Sequence, residues 1–545
     1  MKKILFAYVV FGMSFLTQVQ GQINNDKPKL VVGIIVDQMR YEYLTRFENR
    51  FGEGGFLRMV NEGFNCKNNH FNYIPTYTGP GHASVYTGTT PKYHGIISNT
   101  WYDKESKESV YCAGDTTMIS VGTESDAGKM SPHRMKTTTF ADENRLFTQM
   151  KAKSIGISVK DRGAILPAGH TANAAYWFHG ADEGVFITSS FYMDKLPKWV
   201  RQFNKSDNVK KYLKSWNTIY DISTYAESGS DLNNFEGGFR EKETATFPYD
   251  LEALSEYNGG YDILKTTPFG NSIVTDFAIA AIDGEELGKD DITDVLAVSY
   301  SSPDYIGHNF GVNSKEVQDM YIRLDKELER LFMALDNKVG KGNYTVFLTA
   351  DHGAVHVPAY LKSLKIPAGY VSSRQIKVKF INFLKKTYGT DQLVENISNN
   401  QVFLNRNKVK ELGLNLKDVQ EAIVNEIINY YYIDKAYTAH SMTNASFSEG
   451  IENLLQNGFN QRRSGDVIYV YDPAVISYNM TGSTHGSGLN YDTHVPLLFY
   501  GKGIEKGSTF KRTRIVDIAP TISALLGISF PNGNTGQPLG FVLKN

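Results

Sequence analysis

Four segments of this chain share one design: a continuous apolar run stops abruptly at a residue able to do chemistry. Residues 29–36 (KLVVGIIV) run into Asp37, and residues 154–159 (SIGISV) into Lys160. Residues 294–300 (DVLAVSY) lead through Ser301, Ser302 and Pro303 to Asp304, and residues 344–350 (YTVFLTA) run into Asp351. Near-unbroken Val/Ile/Leu runs, rather than alternation, suit parallel strands buried on both faces. Helical patterns separate them. Val317, Tyr321, Leu324, Leu328, Leu331, Phe332 and Leu335 mark one amphipathic helix, with Asn313 and Glu316 as a capping box at its start. Residues 271–282, after Pro268, read as another. Strand–helix alternation predicts an α/β fold: a mostly parallel central sheet with helices on both faces, a three-layer sandwich. In such sheets functional groups gather at the carboxyl ends of strands, where these polar residues lie.

Two stretches break the pattern. Residues from about 172 to 262 are rich in Tyr, Trp, Asn, Ser and charge, and residues from about 357 to 470 hold additional helical and strand-like segments. Both read as inserted lids over the active face of one catalytic domain spanning 22–545. Residues 1–21 read as an export signal: Lys2 and Lys3, an apolar run from Ile4 to Leu16, then Val19-x-Gly21 as a cleavage site. The run is too short to span a bilayer comfortably, and no Cys near the cut offers a lipid anchor. A periplasmic or secreted protein without stable membrane insertion is expected.

The whole chain has 57 Lys and Arg against 58 Asp and Glu; removing residues 1–21 takes two lysines and no acids, leaving 55 against 58. Near neutrality without basic runs argues against nucleic acid as a partner. Charge complementarity to an anionic substrate must therefore be local. The two cysteines, Cys66 and Cys112, are too few and too far apart for a zinc-finger type of site.

The chemistry-bearing residues form one set. Asp351 and His352 stand together at a strand end. Asp304 and His308, four apart, share one face of a helical turn. Asp37 ends the first strand, and His485 sits in a Gly/Ser/Thr-rich loop (481–488, TGSTHGSG). Three Asp and three His suffice for two cations with three protein ligands each, leaving each an open position. Singly, each could be only a helix cap or a surface group. His356 is read as standing outside the ligand set. Thr78, in the segment 74–82 (IPTYTGPGH) before a helix, would face unpaired N–H groups at a helix amino end. It is either a helix cap or a nucleophile that a bound cation activates.

The motifs Pro75-x-x-Thr78-x-x-x-His82, His94-Gly95-Ile96 and Asn99-Thr100-Trp101-Tyr102-Asp103 resemble the alkaline phosphatase superfamily. Its nucleotide pyrophosphatase/phosphodiesterase and phosphate-irrepressible phosphatase branches are the most similar. Asp304-x-x-Gly307-His308, Asp351-His352-Gly353 and Thr484-His485 follow in the family's order, and residues 495–528 look like its closing strand and helix. The resemblance implies two Zn2+ per chain. Asp304, His308 and His485 would hold one; Asp37, Asp351 and His352 would hold the other beside Thr78, whose oxygen would join it. Asn99 would donate to a phosphoryl oxygen.

Lys160-Asp161-Arg162 resembles the phosphate-irrepressible monoesterase branch, where this Lys and Arg contact phosphoryl oxygens. Two cations suit a phosphomonoester dianion, whose extra charged oxygen a diester replaces with an organic group. Surface charges at a strand end are the plain alternative. The implied function is an exported zinc-dependent alkaline phosphatase acting on phosphate monoesters through a phosphothreonine intermediate. A phosphodiesterase or nucleotide pyrophosphatase is the alternative, and a non-catalytic binding protein on the same scaffold a remote one. Nothing in the sequence sets an oligomeric state.

Overall fold

Each of the four apolar runs is a strand. They occupy Leu30–Val36, Ser154–Ser158, Asp294–Tyr300 and Tyr344–Thr349, and every residue in them is buried. They lie side by side and parallel, in the order Tyr344–Thr349, Leu30–Val36, Asp294–Tyr300, Ser154–Ser158. This arrangement comes from a computed structural model, which describes residues 27–544; the export signal expected at residues 1–21 lies outside them.

The sheet has ten strands. Ala174–His179 adds a fifth parallel strand beside Ser154–Ser158, and Val185–Ser189 then pairs with it antiparallel. On the other flank Leu497–Gly501 runs antiparallel to Tyr344–Thr349. The first part of the stretch expected to be an insertion at 172–262 is thus core sheet. Its Ala, Tyr, Trp and Phe residues are as buried as the Val and Ile of the central strands, but they lack the aliphatic signature that marks a central strand in sequence.

Helices cover both faces, as two neighbouring residues of one strand demonstrate. Successive strand residues point to opposite sides. Ser299 Oγ meets His82 Nε2 of the Thr78–Thr87 helix at 2.8 Å, whereas Tyr300 Oη meets Thr275 Oγ1 of the Pro268–Gly284 helix at 3.0 Å. The long amphipathic helix is Lys315–Leu335. Its cap is Ser314, whose side chain accepts from Val317 N, and not Asn313 as the spacing to Glu316 suggests. Asn313 instead accepts from Arg46.

Within 357–470 a separate four-stranded sheet forms, in the order Val394–Ser398, Gln401–Leu404, Val467–Tyr471, Ile433–Thr438. It has its own apolar core, including Phe380, Leu384, Val402, Ile423 and Val467. Cys66 and Cys112 are both buried and not joined to each other.

Candidate active site

Register brings the strand ends to one level. Val36 lies opposite Tyr300, Ile35 opposite Thr349, and Ser299 opposite Ser158. Asp37, Asp351 and Lys160 therefore emerge together, and Asp304 joins them from the first turn of the Ser302–Phe310 helix, with His308 one turn on. All three carboxylates are almost fully buried. Lys160 Nζ bridges two of them, 2.7 Å from Asp37 Oδ2 and 2.5 Å from Asp304 Oδ2. His308 Nε2 is 3.1 Å from Asp304 Oδ1. The rings of His352 and His485 stack at 3.4 Å.

So many charges in a low-dielectric space perturb one another. Burial, reinforced by the charge of Asp351, pushes Asp37 well above the usual carboxylate range, with Lys160 opposing. Burial acts on Asp304 in the same direction, but His308 and Lys160 outweigh it and hold it well below that range. For Asp351, His352 and His82 overcome burial and keep the group ionised. Burial lowers His352 and, further, His485, keeping both rings neutral, the form that can ligate a metal.

Each of the three histidines directs one nitrogen away from the site, to a backbone carbonyl. His308 Nδ1 pairs with Ser483 O at 2.7 Å, His485 Nδ1 with Thr76 O at 2.7 Å, and His352 Nδ1 with Gly353 O at 3.0 Å. A ring that donates through Nδ1 leaves the Nε2 lone pair for a ligand position, the orientation metal-binding imidazoles take.

Three buried atoms without a hydrogen-bond partner converge here: Asp37 Oδ1, Asp351 Oδ2 and His352 Nε2. His352 Nε2 lies 3.5 Å from both oxygens. Two carboxylate oxygens and a neutral imidazole nitrogen, desolvated and unpaired, fit a cation and little else. Among the described residues two groups have metal-site dimensions: Asp37, Asp351, His352 and Asp304, His352, His485, with ligand atoms within 4.8 Å of one another in each. His352 belongs to both, and His308 stands just beside the second through its contact with Asp304.

Thr78 is the first residue of its helix, and the side chain of Tyr77, the residue before it, makes no capping bond. Thr78 is therefore not the cap, and its hydroxyl makes no hydrogen bond among the described residues. The segment around it is tied to both groups. His82 Nδ1 lies 2.9 Å from Thr78 O and 3.3 Å from Asp351 Oδ2, and Thr76 O holds His485. Gly81 permits the approach: a Cβ there would stand 2.4 Å from the Asp351 carbonyl. Asn99 Oδ1 accepts from Gly79 N at 2.7 Å, which leaves its Nδ2 as a donor beside Thr78. Arg162 donates through Nη1 to Tyr111 Oη at 3.1 Å, and its Nε is buried without a partner. Tyr111 in turn donates to Asp161.

Gln38 was not legible as a site residue. Its φ is +64°, its N–H donates to Asp351 Oδ1 at 3.1 Å, and its Nε2 donates to Asp304 Oδ1 at 2.7 Å, so one residue links the two carboxylates. Its only sequence signal is that it follows Asp37. His356 lies outside any helix and contacts Arg40, apart from both groups.

The family model for type I phosphodiesterase / nucleotide pyrophosphatase matches residues 31–495, taking in every residue of this candidate site. The chain belongs to this family, within the alkaline phosphatase superfamily. Alkaline phosphatase PafA of Elizabethkingia meningoseptica is 43% identical over 95% of both chains. The crystal structure of wild-type PafA superposes with a TM-score of 0.91, covering 95% of this chain and 99% of that one. Alkaline phosphatase PhoV of Synechococcus elongatus is 42% identical over 95% of this chain and 93% of its own. A Myroides odoratus protein named as a calcium-transporting ATPase is 42% identical over 94% of each. No helix among the described residues is long and apolar enough to cross a membrane.

Because Gly81 lets the Thr78 helix touch the Asp351 strand end, Gly81→Ala must push the two apart. Overpacking of this kind costs about 1–3 kcal/mol of stability. A shift of Thr78 relative to the Asp351 strand end should lower phosphatase kcat/KM by about 10- to 100-fold. Urea denaturation and steady-state rates on the same preparation check both; an unchanged rate would contradict the close-approach argument.

Proposed function

We propose that this alkaline phosphatase hydrolyses phosphate monoesters through a phosphothreonine formed on Thr78, with two Zn2+ held by Asp37, Asp351 and His352 and by Asp304, His308 and His485. The convergence of unpaired Asp37, Asp351 and His352 atoms beside the helix that begins at Thr78 carries the reading. Zinc suits the mixed Asp/His donor set. Bound there, such ions would activate the threonine hydroxyl and offset charge on the attacking and leaving oxygens.

The chain's own residues supply the rest. Thr78 Oγ gives up its proton and attacks phosphorus in line with the ester oxygen; a P–O bond forms to Thr78, the ester P–O bond breaks, and the departing ester oxygen takes up a proton and leaves as the alcohol. Water then attacks the phosphothreonine, releasing phosphate and restoring the hydroxyl. Asn99 Nδ2 donates to one phosphoryl oxygen. Lys160 uses two of its three N–H donors on Asp37 and Asp304, which leaves one for the substrate. Arg162, steadied by Tyr111, offers a planar fork to the oxygens that carry charge in transfer. Part of the stretch expected to be a lid at about 172 to 262 supports that reading: Gly237 N bonds Asn309 O next to His308, and Gly482 N bonds Phe235 O. An export signal at residues 1–21, preceding one catalytic domain over 22–545, is consistent with a periplasmic or secreted enzyme.

The family also includes enzymes described as phosphodiesterases, so diester cleavage is the second reading. Lys160 and Arg162 separate the two, since a dianion gains from both.

Thr78→Ala should lower turnover of a nitrophenyl phosphate by about a thousandfold or more while zinc content stays at two per chain. Substantial residual activity would refute the nucleophile. Arg162 touches none of the ligand carboxylates, so Arg162→Ala isolates phosphoryl recognition. It should cost the monoester about 100-fold in kcat/KM and leave the corresponding methyl diester nearly unchanged. Equal loss on both substrates, or a wild-type preference for the diester, favours the phosphodiesterase reading.

A further inference from the structure

The loop that carries His485 has no regular structure of its own. Residues 481–489 belong to no helix or strand and include Gly482, Gly486 and Gly488. A glycine-rich segment loses much conformational entropy when it is fixed. Yet the His485 ring stands stacked on His352 and 3.6 Å from Asp304 Oδ1, so long-range bonds must impose its place. Ahead of His485, Ser483 O pairs with His308 Nδ1, and Thr484 O accepts from Val355 N at 3.2 Å. Behind it, Thr76 Oγ1 donates to Ser487 O at 2.8 Å.

The two amides directly after His485 go to one side chain. Asp492 Oδ2 accepts from Ser487 N at 2.7 Å and from Gly486 N at 3.1 Å. Asp492 lies in the short helix Asn490–Thr493 and is 1% exposed, and its Oδ1 has no hydrogen-bond partner. Burying a carboxylate that is only half paired is costly, which sets it apart from an incidental surface contact. The same residue meets a second strand end through its backbone: Asp492 O accepts at 2.8 Å from the N–H of Gly353, which follows His352. The packing there is tight, since a Cβ on Gly353 would stand 2.1 Å from Tyr491 O. One residue thus joins the loop behind His485 to the turn behind His352.

We propose that Asp492 is a positioning residue. It contributes no ligand itself, and by fixing Gly486 and Ser487 it holds His485 at the metal position shared with Asp304 and His308. The proposal rests on the two-zinc reading above. The tie to Gly353 is a backbone bond and survives replacement of the side chain, so a change of side chain should weaken the His485 group and spare the other.

Zinc retention against a competing chelator, measured on the whole protein, tests it. In Asp492→Ala one of the two zinc ions should be lost at a chelator concentration about 10- to 100-fold lower than in wild type, with the second leaving as in wild type. Asp492→Asn keeps an oxygen for the two amides and should restore most of the retention. His485→Ala should lose the same ion, and adding Asp492→Ala to it should change nothing further, because Asp492 acts through that ring. Equal weakening of both ions, an additive loss in the double variant, or an Asp492→Ala protein that does not fold would mark a general structural role and overturn the proposal. So would wild-type retention of both ions in Asp492→Ala. A wild-type protein that holds fewer than two zinc ions would overturn the two-metal reading itself.

Discussion

Three carboxylates buried in one cluster and bridged by Lys160 and Gln38 are the constraint around which this molecule is organised. Asp37, Asp304 and Asp351 come from three separate stretches of chain, and nothing local would gather them against their mutual repulsion. Lys160 answers part of the charge, bridging Asp37 and Asp304. Asp37 Oδ1, which it does not reach, has no hydrogen-bond partner and lies 3.5 Å from the neutral His352 imidazole, and Asp351 Oδ2 has only that imidazole and, at 3.3 Å, His82 beside it. A buried charge without a partner costs several kcal/mol. The arrangement therefore makes sense as a receptor for cations, with the sheet supplying the rigidity to hold it.

The fold meets that demand by using both faces of one sheet. Register sets the depth of the strand-end carboxylates, and the helix carrying Thr78 is pinned over the strand ends by His82, which reaches from Thr78 O to Asp351 and, with its other nitrogen, to Ser299. Gln38 links the strand-end carboxylate of Asp351 to the helix carboxylate of Asp304, accepting a backbone conformation that non-glycine residues rarely adopt. Thr78 and the Asp/His cluster are thus parts of one packed unit.

Much of this was legible in the sequence, for physical reasons. Parallel strands buried on both faces must be continuously apolar, so their ends, and hence Asp37, Asp351 and Lys160, stand out. Helical periodicity foretells that Asp304 and His308 share a face. What local pattern does not encode was missed or misjudged. Ser314 and Asn313 are both competent caps, and only packing decides between them. Ala174–His179 is a core strand built from small and aromatic residues, which in sequence resembles the lid that follows. Gln38, Tyr111 and the sharing of His352 between two ligand groups depend on long-range approach, which no spacing reveals.

The central claim is that six side chains hold a pair of metal ions beside one threonine. Anomalous X-ray scattering across the zinc edge, from crystals of the protein as purified, tests it most directly. The account predicts two zinc peaks roughly 4 Å apart, one among Asp37, Asp351 and His352 and one at Asp304, His308 and His485, both next to Thr78. A single peak, or none at these residues, would contradict it.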